Sequence, residues 1–350
     1  MKKVLVDMHR LGKNKFNGLY IYSYHIGQEL IKKKPSNISL FYYLPKDLLG
    51  FFGNSVQYII QKSLDKFFHR KALGFDIWHS TTTLSWYMPA SKKTKFIFTL
   101  HDINFLIENP EEVKSNNRNL KLIQQRINRA DHIIAISHFA LQQARQHLQL
   151  GSKPATVIYN GCTYITIPPK EKEPAYQPGV PFLCSIGLVQ KRKNFHTIIP
   201  LLKNNNYQYI IAGIDNYDYK QIILAEAAKY NVSDRVIFTG PVTEEEKAWY
   251  YKHCLAFMFP SFAEGFGLPV VEAMYFGKPV FISKETSLPE VGGKVAYYFS
   301  SFEADNMIQV FNDGMAHYNN THPQQKIQQQ AGKFSFETAA EEIYRIYETL

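Results

Sequence analysis

Residues 260–279 read Pro260-Ser-Phe-Ala-Glu264-Gly-Phe-Gly-Leu-Pro-Val-Val-Glu272-Ala-Met-Tyr-Phe-Gly-Lys-Pro279. The apolar run Leu255–Phe259 before them has the length of a buried strand. Gly265 and Gly267 then supply a tight turn, and the apolar-periodic segment Pro269–Tyr275 predicts a helix. A helix start points unsatisfied N–H groups and a partial positive charge at whatever lies above it. Glycines let a ligand come close to the backbone. Two carboxylates, Glu264 and Glu272, flank the turn with seven residues between them. Strand, glycine turn and helix make a seat for an anionic group, with two acids at hand for sugar hydroxyls.

The same alternation extends in both directions. Before the stretch, strands are expected at Val4–Val6, Ser39–Leu44, Phe75–Trp78, Lys95–Leu100, Asp131–Ile136 and Thr156–Tyr159. Between them lie helical patterns at Leu19–Ile31 and Arg118–Arg129. The prolines of residues 166–181 mark a linker. Beyond it come strands at Phe182–Ile186, Tyr207–Ala212 and Val236–Phe238, with helices at Asn194–Leu202, Tyr219–Tyr230 and Thr243–Lys252. Thr243 and Glu246 have capping-box spacing, and Ser137 stands where a cap belongs. Residues 335–350 read as an amphipathic helix. Strands alternating with helices define an α/β fold with parallel sheets, and ligands bind such sheets beyond the carboxyl ends of their strands. His79, His101, Gly187, Gly213, Gly240 and Ser261 all fall at such ends.

A chain of 350 residues is long enough for two domains. No run of about 18 apolar residues is present, so no spanning helix is expected, and Met1–Asp7 reads as a first strand in preference to a signal peptide. Three scattered cysteines, Cys162, Cys184 and Cys254, suit a reducing cytoplasm and offer neither a disulfide framework nor a zinc pattern. Charge is lopsided. Residues 1–170 carry 24 Lys and Arg against 10 Asp and Glu, whereas the remainder carries 16 against 20. Residues 48–75 mix Leu, Phe, Tyr and Ile with Lys62, Lys66, Arg70 and Lys71. They read as an amphipathic helix, either packed on the core or docked on an anionic membrane surface. The acidic second half and the lack of any nucleic-acid module argue against a nucleic-acid partner.

The run from Glu264 to Met274 resembles the signature of retaining nucleotide-sugar glycosyltransferases of the GT-B fold, in family four, group 1, mannosyltransferases among them. The resemblance is strongest over 182–293. It implies two Rossmann-like, doubly wound domains facing a cleft: an acceptor-side domain over 1–170, a donor domain over 171–333, and a C-terminal helix, 334–350, crossing back to the first domain.

The resemblance also implies roles. Glu272 matches the residue that holds the nucleotide's ribose, and Glu264 the one that hydrogen-bonds the donor sugar. The amides of Gly265, Phe266, Gly267 and Leu268 would face the sugar and phosphates. The segment Gly187-Leu-Val-Gln-Lys-Arg-Lys-Asn194 resembles a family segment whose lysine contacts the phosphates. Lys193 takes that role by position and Arg192 is a second candidate; Leu188 stands where many members carry arginine. His101, followed by Asp102, matches a histidine near the anomeric centre, whereas His79 reads as a core histidine in preference to a residue lining the acceptor side. Gly18, after Asn17, stands in the place of a glycine-rich loop near the donor phosphates or the acceptor. Glu290, in Ser287–Gly293, stands behind the site.

The expected activity is retaining transfer of a hexose to a glycan or lipid-linked acceptor in surface polysaccharide or lipopolysaccharide synthesis. The enzyme would be cytoplasmic or peripheral on the inner face of the membrane. The Arg-Lys-Asn segment leans toward GDP-mannose and leaves UDP-sugars open. Basic residues and a helix dipole would neutralise the leaving group, with no cofactor and no metal. A sugar epimerase of similar architecture and a catalytically silent nucleotide- or glycan-binding protein are the alternatives.

Overall fold

The computed structural model describes residues 1–12, 18–62, 65, 74–166 and 169–350. Asn17, Lys66, Phe67, Phe68, Arg70, Lys71 and Pro168 lie outside the described residues. The chain forms two compact units, Met1–Gly161 with Ser335–Leu350, and Cys162–Phe334.

The first unit carries strands β1 (Lys2–Asp7), β2 (Ile38–Leu44), β3 (Gln57–Ile60), β4 (Ile77–Ser80), β5 (Lys95–Leu100), β6 (His132–Ala135) and β7 (Ala155–Val157). They form one parallel sheet in the order β3-β2-β1-β4-β5-β6-β7. Helices α1 (Gly18–Lys32), α2 (Val113–Arg129) and α3 (His138–His147) connect them. Because apolar layers form on both faces of the sheet, central strands such as Val4-Leu-Val6 are buried throughout. Ser137 caps α3 by accepting the Ala140 N–H at 3.0 Å.

The C-terminal helix Phe336–Thr349 belongs to this unit. Phe336, Ala340, Ile343 and Tyr347 share a core with Tyr22, Ile26 and Leu30 of α1. Gly161 lets the chain pass close to this helix. A Cβ there would lie 2.0 Å from the Phe336 nitrogen.

The second unit repeats the plan with β8 (Phe182–Ile186), β9 (Gln208–Ala212), β10 (Val236–Gly240), β11 (Ala256–Phe259), β12 (Val280–Ser283) and β13 (Tyr297–Phe299). Their parallel order is β10-β9-β8-β11-β12-β13. Helices α4 (Tyr217–Lys229), α5 (Glu244–His253) and α6 (Leu268–Tyr275) position the site. The capping box at α5 is complete: Thr243 Oγ1 accepts the Glu246 N–H at 3.2 Å, and Glu246 accepts the Thr243 N–H at 2.9 Å. Residues 169–181, read as linker, are fastened to this unit, where the Tyr250 hydroxyl donates to Tyr176 O at 2.7 Å.

Both sheets are doubly wound. Strand order reverses at β1/β4 and at β8/β11, the topological switch points beyond which α/β folds place ligands. Two sequence expectations need correction. Within 48–75, Gln57–Ile60 is the edge strand β3, pairing with β2 in register from Phe41↔Gln57 to Leu44↔Ile60. Pairing with β2 makes it a strand, which the local pattern, read with a helical period, does not show. Asn194–Leu202, expected as one helix, is the 3-10 segment Phe195–Leu202, entered from a second 3-10 segment, Lys191–Lys193, through Asn194 at φ 59°. Asparagine tolerates that left-handed conformation, and Pro200 cannot donate the hydrogen bond a regular helix would need.

Candidate functional site

Two connections leave the second sheet side by side at its switch point. β8 ends at Ile186 and continues through Gly187 to Lys191–Lys193; β11 ends at Phe259 and continues through Glu264 to α6. Glycine is required at this edge. Gly213, at the end of β9 with φ 150°, would place a Cβ 1.9 Å from Gly187 O. Gly267 caps α6 at φ 109°, and a Cβ there would meet Leu288 at 2.7 Å.

The two connections are stitched together through backbone groups. Arg192 O accepts the Phe262 N–H at 3.0 Å, and the Arg192 guanidinium donates to Ala263 O at 2.8 Å. The stitching brings a charge cluster together. On Glu264 Oε1 converge Lys193 Nζ at 2.6 Å, the Ser261 hydroxyl at 2.6 Å and Arg192 Nη1 at 3.2 Å. Lys193 and Glu264 are both buried, and the Lys193 ammonium stands 4.4 Å from the centre of the Phe259 ring. Burial pushes the Glu264 carboxyl up, but the charges of Lys193 and Arg192 and the bonds from Lys193 and Ser261 outweigh it. The group therefore titrates below its ordinary value and is a carboxylate at neutral pH. Among the described residues two cations face one anion here, with exposed Lys191 beside them, so the cluster is electrostatically suited to an anionic group. The start of α6 lies at Leu268, with Gly265 and Phe266 leading into it. The Phe266 ring is buried edge-on against Phe334, at 5.5 Å between centroids, so its backbone is what it can offer a ligand.

Glu272 stands about one turn into α6 with a different set of partners. Lys247 Nζ lies 3.0 Å from its Oε1, and the Tyr251 hydroxyl donates to its Oε2 at 2.7 Å. The two signature acids are thus anchored separately, Glu264 by the connection after β8 and Glu272 by α5. Lys247 and Tyr251 were not singled out from the sequence. The available signal was spacing: Lys247 and Tyr251 of α5 and Cys254 just past its end fall at i, i+4 and i+7 and are all buried, so the lysine occupies a position expected to be apolar.

Gly18 opens α1 in the first unit and is exposed. His101 follows β5 in the same unit. Its Nε2 lies 2.8 Å from Thr81 O, its backbone N–H donates to Thr83 Oγ1 at 2.7 Å, and Tyr22 packs edge-on at 4.7 Å. Nε2 must carry the proton to meet a carbonyl, which makes Nδ1 an acceptor. Burial pulls the imidazole down to about 4, against the Thr81 bond and helped by the Arg10 charge, so it is neutral near pH 7. His79 is a core residue, bonded to the Tyr347 hydroxyl at 2.6 Å and to Thr99 Oγ1 at 2.8 Å. Among the described residues no group of three His, Cys, Asp or Glu side chains could hold a metal ion.

Comparison with known proteins agrees with this architecture. The family "Glycosyltransferase Family 4" matches residues 23–163, and "Glycosyl transferases group 1" matches residues 167–308. The serotype-specific mannosyltransferase WbdA of Escherichia coli is 28% identical over 201 residues, 53% of this chain and 25% of its own length. The O-antigen chain mannosyltransferase B of Escherichia coli is 27% identical over 225 residues, 60% of this chain and 58% of its own. The chain therefore spans about a quarter of the first of these relatives and somewhat over half of the second. Among solved structures, a sucrose-phosphate synthase from Thermosynechococcus elongatus superposes with TM-score 0.77 at 17% identity, covering 100% of this chain and 99% of its own. Anabaena HepE in complex with UDP-glucose superposes with TM-score 0.75 at 19% identity, covering both chains fully at 100%. The chain belongs to the family-four glycosyltransferases of the GT-B fold.

Proposed function

We propose that this chain is a retaining glycosyltransferase that moves mannose from GDP-mannose to a saccharide or lipid-linked acceptor during surface polysaccharide or lipopolysaccharide synthesis. The observation that carries the reading is the Lys193–Glu264–Arg192 cluster at the second switch point, beside the start of α6. Transfer breaks the bond between the sugar and the diphosphate, and negative charge grows on the departing oxygen. Lys193, Arg192 and the helix dipole oppose that charge without reorganising. Glu264 orients the sugar through its hydroxyls, and Glu272 takes the ribose. The backbone of Gly187 and of Gly265–Leu268 leaves room for the phosphates, with Gly18 near the donor or acceptor. The resemblance assigns His101 of the first unit to the donor sugar, and its neutral ring has Nδ1 as an acceptor for that role. The acceptor oxygen bonds to the sugar on the face the phosphate leaves, and its proton passes to the departing phosphate. No cofactor or metal is assigned to the step.

Support for mannose comes from the names of the bacterial relatives. A UDP-sugar donor is the second reading, favoured by the UDP-glucose bound to HepE. Among the described residues no helix is long and apolar enough to cross a membrane. Work on a lipid-linked acceptor at the cytoplasmic face would then use peripheral contact, to which the basic first half is suited. The deciding experiment is a thermal-shift panel of GDP, GDP-mannose, UDP and UDP-sugars, since a ligand of the folded state alone raises stability by mass action. Stabilisation by GDP and GDP-mannose is expected. Stabilisation by uridine nucleotides alone would replace the donor, and no response to any nucleotide would point to a silent relative.

A further inference from the structure

A lysine with its side chain 9% exposed, on a helix face otherwise given to Ala248, Tyr250 and Tyr251, is an uncommon choice. The Lys247 ammonium lies 3.0 Å from Glu272 Oε1, 2.8 Å from Glu244 Oε2 and 5.6 Å from the centre of the Tyr164 ring. The Tyr251 hydroxyl completes the set on Glu272 Oε2. A buried pair of this kind is poor ground for stability, because an apolar pair of the same volume would do as well or better. Its effect is on the carboxylate. Two oxygens offer about four acceptor sites, and Lys247 and Tyr251 take one on each oxygen, leaving room for two more donors. A ribose diol has two hydroxyl donors.

We infer that Lys247 is a positioning residue for nucleotide binding: together with Tyr251 it fixes the Glu272 carboxylate so that one acceptor site on each oxygen is presented to the ribose diol. The inference rests on the reading that Glu272 takes the ribose. The groups facing Glu272 are Lys247, Glu244 and Tyr251 from α5 and Cys162 and Tyr164 from the segment after Gly161. Burial and the Glu244 charge favour the protonated acid, and the nearby thiol and phenol add no positive charge. Among these groups Lys247 alone supplies a cation to oppose them.

The test is calorimetric titration of the full chain with GDP, UDP and their 2′-deoxy counterparts. Wild type is expected to bind the ribonucleotide of its preferred base roughly tenfold or more tighter than the deoxy form, the worth of a hydrogen bond to a charged acceptor. Lys247→Met is expected to bring that ratio close to one. Glu272→Gln should do the same, and adding Lys247→Met to it should change nothing further, because Lys247 acts through Glu272. Should Lys247→Met fail to fold, Tyr251→Phe with its Glu272→Gln double decides by the same cycle. A wild type that binds neither nucleotide, or ignores the 2′-hydroxyl, overturns the ribose reading and the inference with it. A wild type that discriminates, with a Lys247→Met variant that discriminates equally, overturns the inference alone.

Discussion

Lys193 and Arg192 close on one oxygen of Glu264, so removing either cation leaves a buried carboxylate short of a partner, and in the proposed reaction it also leaves the diphosphate short of charge. Lys193→Ala is expected to lower kcat roughly 10²- to 10³-fold, the usual loss when a donor aimed at developing charge is deleted. Glu264→Gln keeps the shape and removes the charge, so it should lower kcat while leaving nucleotide affinity within about threefold, if the acid serves the sugar and the ribose is held elsewhere. Steady-state kinetics with the donor identified by thermal shift checks both. Unchanged kcat in either variant would remove that residue from the site.

Two histidines of the first unit set a pH limit. Burial lowers His79 to about 3 and His101 to about 4, both below the ordinary 6.5. Between those values and 6.5 the unfolded chain binds more protons than the folded one, so stability rises with pH across that window. Above about 6.5 both histidines are neutral in either state and their effect vanishes. Below it, each removes up to about 1.4 kcal/mol per pH unit until its folded value is reached. Glu264 adds its own loss only at lower pH, as the medium falls through its depressed value. Denaturant unfolding should therefore give a plateau above pH 7 and a fall of roughly 1–3 kcal/mol between pH 6 and 5, reduced in His79→Gln. A flat profile down to pH 5 would contradict the neutral, buried assignment of both rings.

Elements differed in how well the sequence announced them, for physical reasons. β5 and β8 are short, mostly apolar runs bounded by breaks in the pattern, and their expected and observed limits coincide. The capping box at Thr243 was legible because its two hydrogen bonds are local. Edge strand β3 was not, since half-buried Tyr58, Ile59 and Ile60 follow no full alternation and pairing with β2 decides the outcome. Of the site, Glu264, Lys193 and the glycine turn were legible as a motif. The Lys247–Glu272 pair was not, because a lysine on a helix is normally a solvated residue and only tertiary packing of α5 against α6 buries it.

The close approach of β8 and β9 at their carboxyl ends was equally invisible, and it supports a prediction at this scale. Gly213→Ala would place a methyl 1.9 Å from Gly187 O at a φ of 150°, so the strand ends must part. A loss of roughly 2–4 kcal/mol is expected from strain and backbone displacement together. Because the same displacement moves the connection that carries Lys193, nucleotide affinity should fall with stability. Gly179→Ala, in open space at an ordinary φ, is the control and should be near neutral in both measurements. Equal stability of the two variants would contradict the packing of these strand ends.

At the scale of the whole molecule, the last sixteen residues complete the core of the unit that the first 161 begin. The C-terminal helix presents Phe336, Ala340, Ile343 and Tyr347 to α1 and the sheet, and Tyr347 is the deepest tie. Its ring is fully buried, its hydroxyl meets His79 Nδ1 at 2.6 Å, and Lys2 Nζ donates to its carbonyl at 2.8 Å. Tyr344 adds a hydroxyl bond to Leu30 O, and Lys33 pairs with Glu337 and Glu341 across the surface. The surface pairs are exposed and screened by solvent and contribute little, so the buried rings carry the docking. Tyr347→Ala is expected to lower the stability of this unit by roughly 3–5 kcal/mol, the cost of an emptied aromatic site plus an orphaned His79 nitrogen. Tyr347→Phe, which loses only the hydroxyl, should cost roughly 1–2 kcal/mol. Hydrogen exchange localises the effect: Tyr347→Ala should raise exchange in β1, β4 and α1 as well as in the helix itself. Faster exchange confined to 336–349 would mean that the helix lies on a core complete without it, contrary to the shared packing of Tyr22, Leu30 and Tyr347.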